Sequence, residues 1–340
     1  ITASGAGDTI TVNADQMADD TTLDINGSAS FTVSNLEADT DAAGGSGALS
    51  ITFSNITDDE AKLLSGSGNV VVNGGDVSDT VTVTGLTTNN QTFNAQDSTS
   101  NFNITAGAGN QTITGSNTGN DSIDGGSGYD TLSYAGGNTI DLTITAFDTQ
   151  AGGSTGQGTD TFSSIDNLIG SAGTDVLRGI EAGRDEIATV NAANAGTFAD
   201  VLNTGSFDFS SFEQLDLNAG NDALAITGNG SLDSSADGGA GTDRLDYSAY
   251  AAGPVTVYLN AGTATAMARD LIGTAGDSSF EDVYGSAFSD TITGDDTANV
   301  IRGYGDNDTI FGLGGDDTID GGDGINGPDG DDLIVAGDGA

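Results

Sequence analysis

From residue 276 onward the chain repeats one pattern: a run rich in Gly and Asp, then three residues of which the middle one is large and apolar. Glycine recurs at 276, 285, 294, 303, 312, 321 and 330, giving the lines GDSSFEDVY, GSAFSDTIT, GDDTANVIR, GYGDNDTIF, GLGGDDTID and GGDGINGPD. Their eighth position holds Val283, Ile292, Ile301, Ile310 and Ile319, then breaks at Pro328. Their sixth holds Glu281, Asp290, Asn299, Asp308, Asp317 and Asn326. Alternate residues of a strand face opposite sides, so each line predicts a turn followed by a three-residue strand whose middle side chain points inward. A strand that short buries nothing alone, but stacked on its neighbours it adds one rung to a continuous apolar ladder. Two lines make one coil, so residues eighteen apart lie above one another and each edge stacks Asp over Asp. Such an edge repels itself unless a cation lies within it.

Upstream the pattern loosens. GGSGYDTLS at 125–133 and GGAGTDRLD at 238–246 carry it fully, while GGDVSDTVT at 74 and GSAGTDVLR at 170 carry it in part. A longer repeat relates residues 125–179 to 238–294, which predicts one structural role for Tyr134 and Tyr247. Four regions follow: 1–105, 106–180, 181–236 and 237–340. The first has many short alternating strands and reads as an irregular continuation of the solenoid, with a β-sandwich as the alternative. Within it TDDEAKLLSG at 57–66 predicts a helical turn or two capped by Thr57. EAGRDEIATVNAANAGTFADVLN, in the third region, has the best helical composition of the chain and predicts a short helix or irregular coil before strands resume.

Composition then changes the picture. With 51 acidic against 6 basic side chains the formal charge is −45, which excludes nucleic acid or an anionic membrane as partner and points to cations. There is no Cys, so a metal is the expected staple in place of disulfides. No apolar run approaches a membrane span and no signal peptide opens the chain, which starts at Ile1 and so reads as a processed or excised piece.

The lines at 125 and 238 resemble the RTX family, secreted calcium-binding repeat proteins with the motif G-G-x-G-x-D-x-U-x, U being a large apolar residue. The resemblance implies an all-β fold, a right-handed parallel β-helix or β-roll stabilised by calcium, with irregular insertions. It also implies several Ca²⁺ ions between stacked turns, held by Asp121, Asp130, Asp175, Asp243, Asp290, Asp308 and Asp317. Backbone carbonyls exposed by glycines such as Gly125, Gly238, Gly303 and Gly312 would complete the sites. Asn299 and Asn326 take the same position without charge and predict weaker or empty sites. The residue types agree independently, since Ca²⁺ takes six to eight oxygens and Gly-rich turns let carbonyls bend toward it. Asp and Gly are also ordinary turn residues, but their fixed register with an inward apolar residue argues against that reading.

Enzymes occur among RTX proteins, so chemistry is weighed separately. Without His or Cys the chain has no HExxH zinc site, no Ser-His-Asp triad and no thiol nucleophile. A polysaccharide lyase or epimerase needs cations beside the substrate carboxylate. Lys62, Arg178, Arg184, Arg244, Arg269 and Arg302 are scattered, although Ca²⁺ could substitute for them. The expected protein is therefore not an enzyme. It is a secreted structural protein of the cell surface, an S-layer subunit, surface fibril or adhesin segment, folding and assembling on Ca²⁺. The terminal AGDGA stops inside a repeat and lacks the apolar segment of a type I secretion signal. It predicts head-to-tail self-association into a filament or lattice, with cell-surface polysaccharide as a further partner. The alternatives are a Ca²⁺-dependent polysaccharide-active enzyme or an RTX carrier module of a larger exported protein.

Overall fold

A computed structural model describes strand backbone at 2–3, 9–13, 22–27, 30–34, 41–44, 50–54, 62–63, 69–73, 80–86 and 91–97. It then describes residues 99, 101–116, 118–136, 138–180, 183–202, 204–268, 279–322 and 330–338. The fold is all-β, with a single 3₁₀ turn at Leu259–Ala261 and no α-helix among the described residues. Two compact units divide the chain, one of Ile1–Leu142 with Thr149–Gly173 and one of Thr143–Asp148 with Thr174–Ala340.

In the first unit consecutive strands alternate between two parallel sheets, the pairing of a solenoid. Thr9–Asn13 pairs with Ser30–Ser34, that strand with Ser50–Ser54, and so on through Asn69–Asn73, Gln91–Asp97, Gln111–Thr114, Thr131–Ser133 and Asn167–Ile169. One register line runs through Ile10, Phe31, Ile51, Val70, Phe93, Ile113, Leu132 and Leu168. In the facing sheet the equivalent line is Leu23, Ala42, Leu63, Val83, Ile104, Ile123 and Phe162. Phe93, Ile113, Leu132 and Leu168 are fully buried, and Phe93 meets Phe102 edge to face with ring centres 5.5 Å apart. Each such side chain contributes about 1.5–3 kcal/mol by leaving water, which is how strands of three to seven residues hold together. The strand Lys62–Leu63 lies where the sequence suggested helical turns; the flanking residues 57–61 are outside the described ones.

The second unit carries the nonapeptide lines. Leu224, Leu245, Val283, Ile301 and Ile319 share one register line, and Val257, Ile292, Ile310 and Ile334 another. Asp282 lies over Val300 and Val300 over Thr318, the eighteen-residue coil that the glycine period predicts.

The 181–236 region differs from the helix or coil expected there. Glu186–Ala192, Ala195–Asp200 and Ser206–Ser210 form an antiparallel meander. Its alanines suit a helix, but burial alternates strictly along Glu186–Val190, a period of two that only a strand satisfies. Phe147 seats the meander, packing against Phe198 and Phe207 at 5.8 and 5.9 Å.

A second difference lies near the last coil. Thr291 pairs with Thr309, eighteen residues on, but Thr309 pairs with Leu333, twenty-four on. The nine-residue count therefore restarts six residues late, at GPDGDDLIV from Gly327, and Asp332 and Ile334 fill the positions assigned to Asn326 and Pro328. Asn326, Pro328 and Arg269 lie outside the described residues, as does the side chain of Lys62.

Tyr134 and Tyr247 hold equivalent places. Both are buried, and their backbone N–H groups donate to the carbonyls of Ile169 and Tyr284 respectively, each at 2.8 Å.

Candidate metal centre

Short strands leave the turns to satisfy their own backbone, and the sixth-position carboxylate does most of this. Asp290 Oδ2 accepts the N–H of Ser286 in its own turn at 2.6 Å, and Oδ1 accepts the N–H of Val255 at 2.8 Å. The N–H of Asp290 donates to Asp308 Oδ1 at 2.8 Å, and that of Asp308 to Asp332 Oδ1 at 2.9 Å. One oxygen of each carboxylate thus ties a coil to the next, forming a column of acids along the turn edge.

The other described sites repeat this bond. In the first unit Asp130 Oδ1 accepts the N–H of Gln111 at 2.7 Å and Asp121 Oδ1 that of Phe102 at 2.8 Å. Asp130 and Asp121 in turn donate to Asp166 Oδ2 and Asp160 Oδ1 at 2.7 and 2.9 Å. In the second unit Asp317 Oδ1 accepts from Asn299 at 3.0 Å, and Asp175 donates to Glu213 Oε2 at 2.9 Å.

The remaining oxygen decides the chemistry. Oδ2 of Asp130, Asp243, Asp308 and Asp317 is buried with no hydrogen-bond partner among the described residues. It faces the first glycine of its own line: a Cβ on Gly303 would lie 2.1 Å from Asp308 Oδ2, and one on Gly312 2.3 Å from Asp317 Oδ2. At Gly125 and Gly238 a Cβ would first meet the main-chain oxygens of Ser164 and Ser279, each at 2.1 Å, and then the Cβ of Asp130 and Asp243 at 2.9 and 2.7 Å. These first glycines therefore make room for the carboxylate, a requirement separate from turn flexibility. Main-chain carbonyls crowd the same turns; a Cβ on Gly126 would lie 2.3 Å from the carbonyl oxygen of Gly107 and 2.8 Å from that of Ala106.

Burying a carboxylate is expensive, and the cost appears as raised pKa values. Burial pushes Asp121 up to about 7, helped by the charge of Asp160. Burial likewise raises Asp130 to about 6, and Asp243 and Asp308 to about 7. Asp290 is raised by burial too. At neutral pH the unpartnered oxygens of Asp130, Asp243 and Asp308 require a proton or a cation, and main-chain carbonyl oxygens crowd the turns beside them. That donor set suits Ca²⁺, a hard ion satisfied by carboxylate and carbonyl oxygen. Among the described residues no three acidic side chains converge, so each site would combine single carboxylates from stacked turns with main-chain carbonyls.

Two turns are closed differently. Asn299 Nδ2 donates to the carbonyl of Glu281 at 2.9 Å and to Asp295 Oδ1 at 3.3 Å, so its amide hydrogens use acceptors that a cation would need. Asp295, which the nine-residue pattern does not mark, is buried there with Oδ2 unpartnered. At Asp160, Oδ2 accepts from Tyr134 Oη at 3.0 Å and from Ser154 Oγ at 3.0 Å, so hydroxyl groups of the chain satisfy it.

Fold and column together define a cation-stabilised parallel β-roll. The family model described as RTX calcium-binding nonapeptide repeat (4 copies) matches residues 105–140, 160–179, 272–305, 284–319 and 293–328. The chain carries repeats of the RTX family, and these repeats bind Ca²⁺ at multiple sites. No curated protein matches the chain.

Gly303→Ala tests the seat of Asp308. Its methyl group would press on Asp308 Oδ2 and also lie 2.6 Å from the carbonyl oxygen of Gly321, so neither side can yield cheaply. A loss of about 1–3 kcal/mol is expected, together with weaker calcium binding, read from urea unfolding in saturating Ca²⁺ and from a calcium titration.

Proposed function

We propose that this calcium-binding RTX module is a secreted, non-catalytic structural protein of the cell surface that folds on Ca²⁺ outside the cell and assembles end to end. The observation that carries the reading is the strand Leu333–Val335. Ile334 continues the register line of Val257, Ile292 and Ile310, all fully buried, yet it is 43% exposed, and Leu333 and Val335 flank it at 55% and 44%. An apolar rung of this kind, with backbone groups available at a sheet edge, suits the addition of another coil, supplied by a further segment of the same protein or by a second copy. Extracellular calcium levels suit modules of this type, whereas intracellular levels would leave the acidic chain expanded.

The non-catalytic part rests on how the described arginines are used. Arg178 is paired with Asp216 and Arg184 with Asp200, while Arg244 and Arg302 stack on the ring of Tyr284 at 4.8 and 4.7 Å. A lyase or epimerase needs such charges gathered beside a substrate carboxylate. A repetitive acidic surface that joined to itself would suit an S-layer, fibril or adhesin role.

Light scattering on the full chain during size-exclusion chromatography tests assembly. Oligomers in millimolar Ca²⁺ that dissociate in EGTA are expected, and a monomer in both conditions would remove the assembly claim.

A further inference from the structure

Between residues 179 and 272 the RTX family model finds no match, yet the second unit continues the carboxylate column through this stretch. The N–H of Glu186 donates to Asp222 Oδ1 at 2.6 Å, that of Asp222 to Asp243 Oδ1 at 2.7 Å, and that of Asp243 to Glu281 Oε2 at 2.7 Å. This is the bond that joins Asp290 to Asp308 in the matched repeats.

Glu186 and Asp222 are 0% and 2% exposed. Glu186 Oε1 accepts the N–H of Ile180 at 2.8 Å, whereas Glu186 Oε2 and Asp222 Oδ2 have no hydrogen-bond partner among the described residues. Glu186 also has the glycine seat seen at Asp308, since a Cβ on Gly179 would lie 1.8 Å from Oε2. Carbonyl oxygens border Asp222. A Cβ on Gly220 would meet the oxygen of Arg184 at 2.4 Å and Asp222 Oδ1 at 2.6 Å, and one on Gly241 would lie 1.5 Å from the oxygen of Gly220. Two guanidiniums lie nearby, and both are engaged elsewhere: Arg184 with Asp200 and Thr204, and Arg244 with Asp246 at 3.5 Å and the ring of Tyr284.

We propose that Glu186 and Asp222 are ligands of two further Ca²⁺ ions, which carry the ion column through a segment outside the nonapeptide match. A proton would neutralise each carboxylate but could engage only one of the crowded carbonyl oxygens. A cation satisfies the free oxygen together with the carbonyls beside it. Glu186 follows its seating glycine by seven residues where Asp308 follows Gly303 by five, and the added backbone is matched by a side chain one methylene longer. The meander leaving Glu186 explains the altered spacing, because a strand of seven residues starts there instead of one of three.

Calcium bound per full-length chain, measured by equilibrium dialysis with elemental analysis, tests the assignment. Glu186→Gln and Asp222→Asn should each lower the count by about one ion, while Asp185→Asn, an exposed neighbour, should leave it unchanged. An unchanged count in a folded Glu186→Gln or Asp222→Asn chain would overturn the proposal. Should a substitution prevent folding, terbium can replace calcium in crystals of the unmodified chain. Anomalous peaks at Glu186 and Asp222 are expected, and peaks at Asp130 and Asp308 without them would overturn it equally.

Discussion

Transfer of the full chain into EGTA should abolish most of its β circular-dichroism signal, and Ca²⁺ at about 10⁻⁴ to 10⁻³ M should restore it. The reason lies in the second oxygen of the column. Oδ2 of Asp130, Asp222, Asp243, Asp308 and Asp317 is buried without a partner among the described residues, and a buried charge of this kind costs several kcal/mol unless something binds it. Those penalties recur coil after coil, against apolar rungs worth about 1.5–3 kcal/mol each and a chain charge of −45. Removing the ion therefore reverses the balance over the whole repeat region. Mg²⁺ should not substitute, because it demands a small octahedral shell and keeps its water, which dry turns cannot accommodate. An unaltered β spectrum in EGTA, or full recovery in Mg²⁺ alone, would contradict this account.

What could be read beforehand divides along a physical line. The glycine period is a direct imprint of the coil, so Val283, Ile292, Ile301 and Ile310 could be placed in the core and Asp290 and Asp308 at the turn edge from spacing alone. All are buried as that spacing requires. Where an insertion shifts the count, the period is lost although the register continues: Asp332 takes the place assigned to Asn326 because a six-residue insertion precedes it. GPDGDDLIV held that signal, as LNAGNDALA held the one for Asp222. Glu186 left no such mark, since its seating glycine stands at a different distance and its residue type differs. The Tyr134–Asp160 closure depends on a hairpin, Ala151–Thr155 against Thr159–Ser163, whose fold the local sequence does not announce. The meander was hidden by its alanines, which carry helical propensity while sitting in strand register, as Ala188 does between Phe198 and Leu224.

Acid should stabilise the calcium-free chain and weaken its grip on calcium. In the metal-free fold burial raises Asp121, Asp222, Asp243 and Asp308 to about 7 and Glu186 to about 8, above ordinary values of 3.8 and 4.5. A raised folded-state pKa means that folding takes up protons, so this contribution is complete below about pH 4 and is lost as pH climbs through 7 to 8. In EGTA the β circular-dichroism signal, largely lost at pH 8, should therefore return in part as pH falls to 5. Calcium needs the same oxygens deprotonated, so with the ion present the dependence inverts. The calcium concentration at half-folding should increase as pH falls from 8 to 6. General repulsion among surface acids would also relax on acidification, but 1 M salt, with a screening length of about 3 Å, suppresses that part. The dependence that survives in 1 M NaCl belongs to the buried column. Removing one buried acid, as in Asp308→Asn, should reduce it, and a β signal in EGTA that grows with pH would show that burial does not govern these carboxylates.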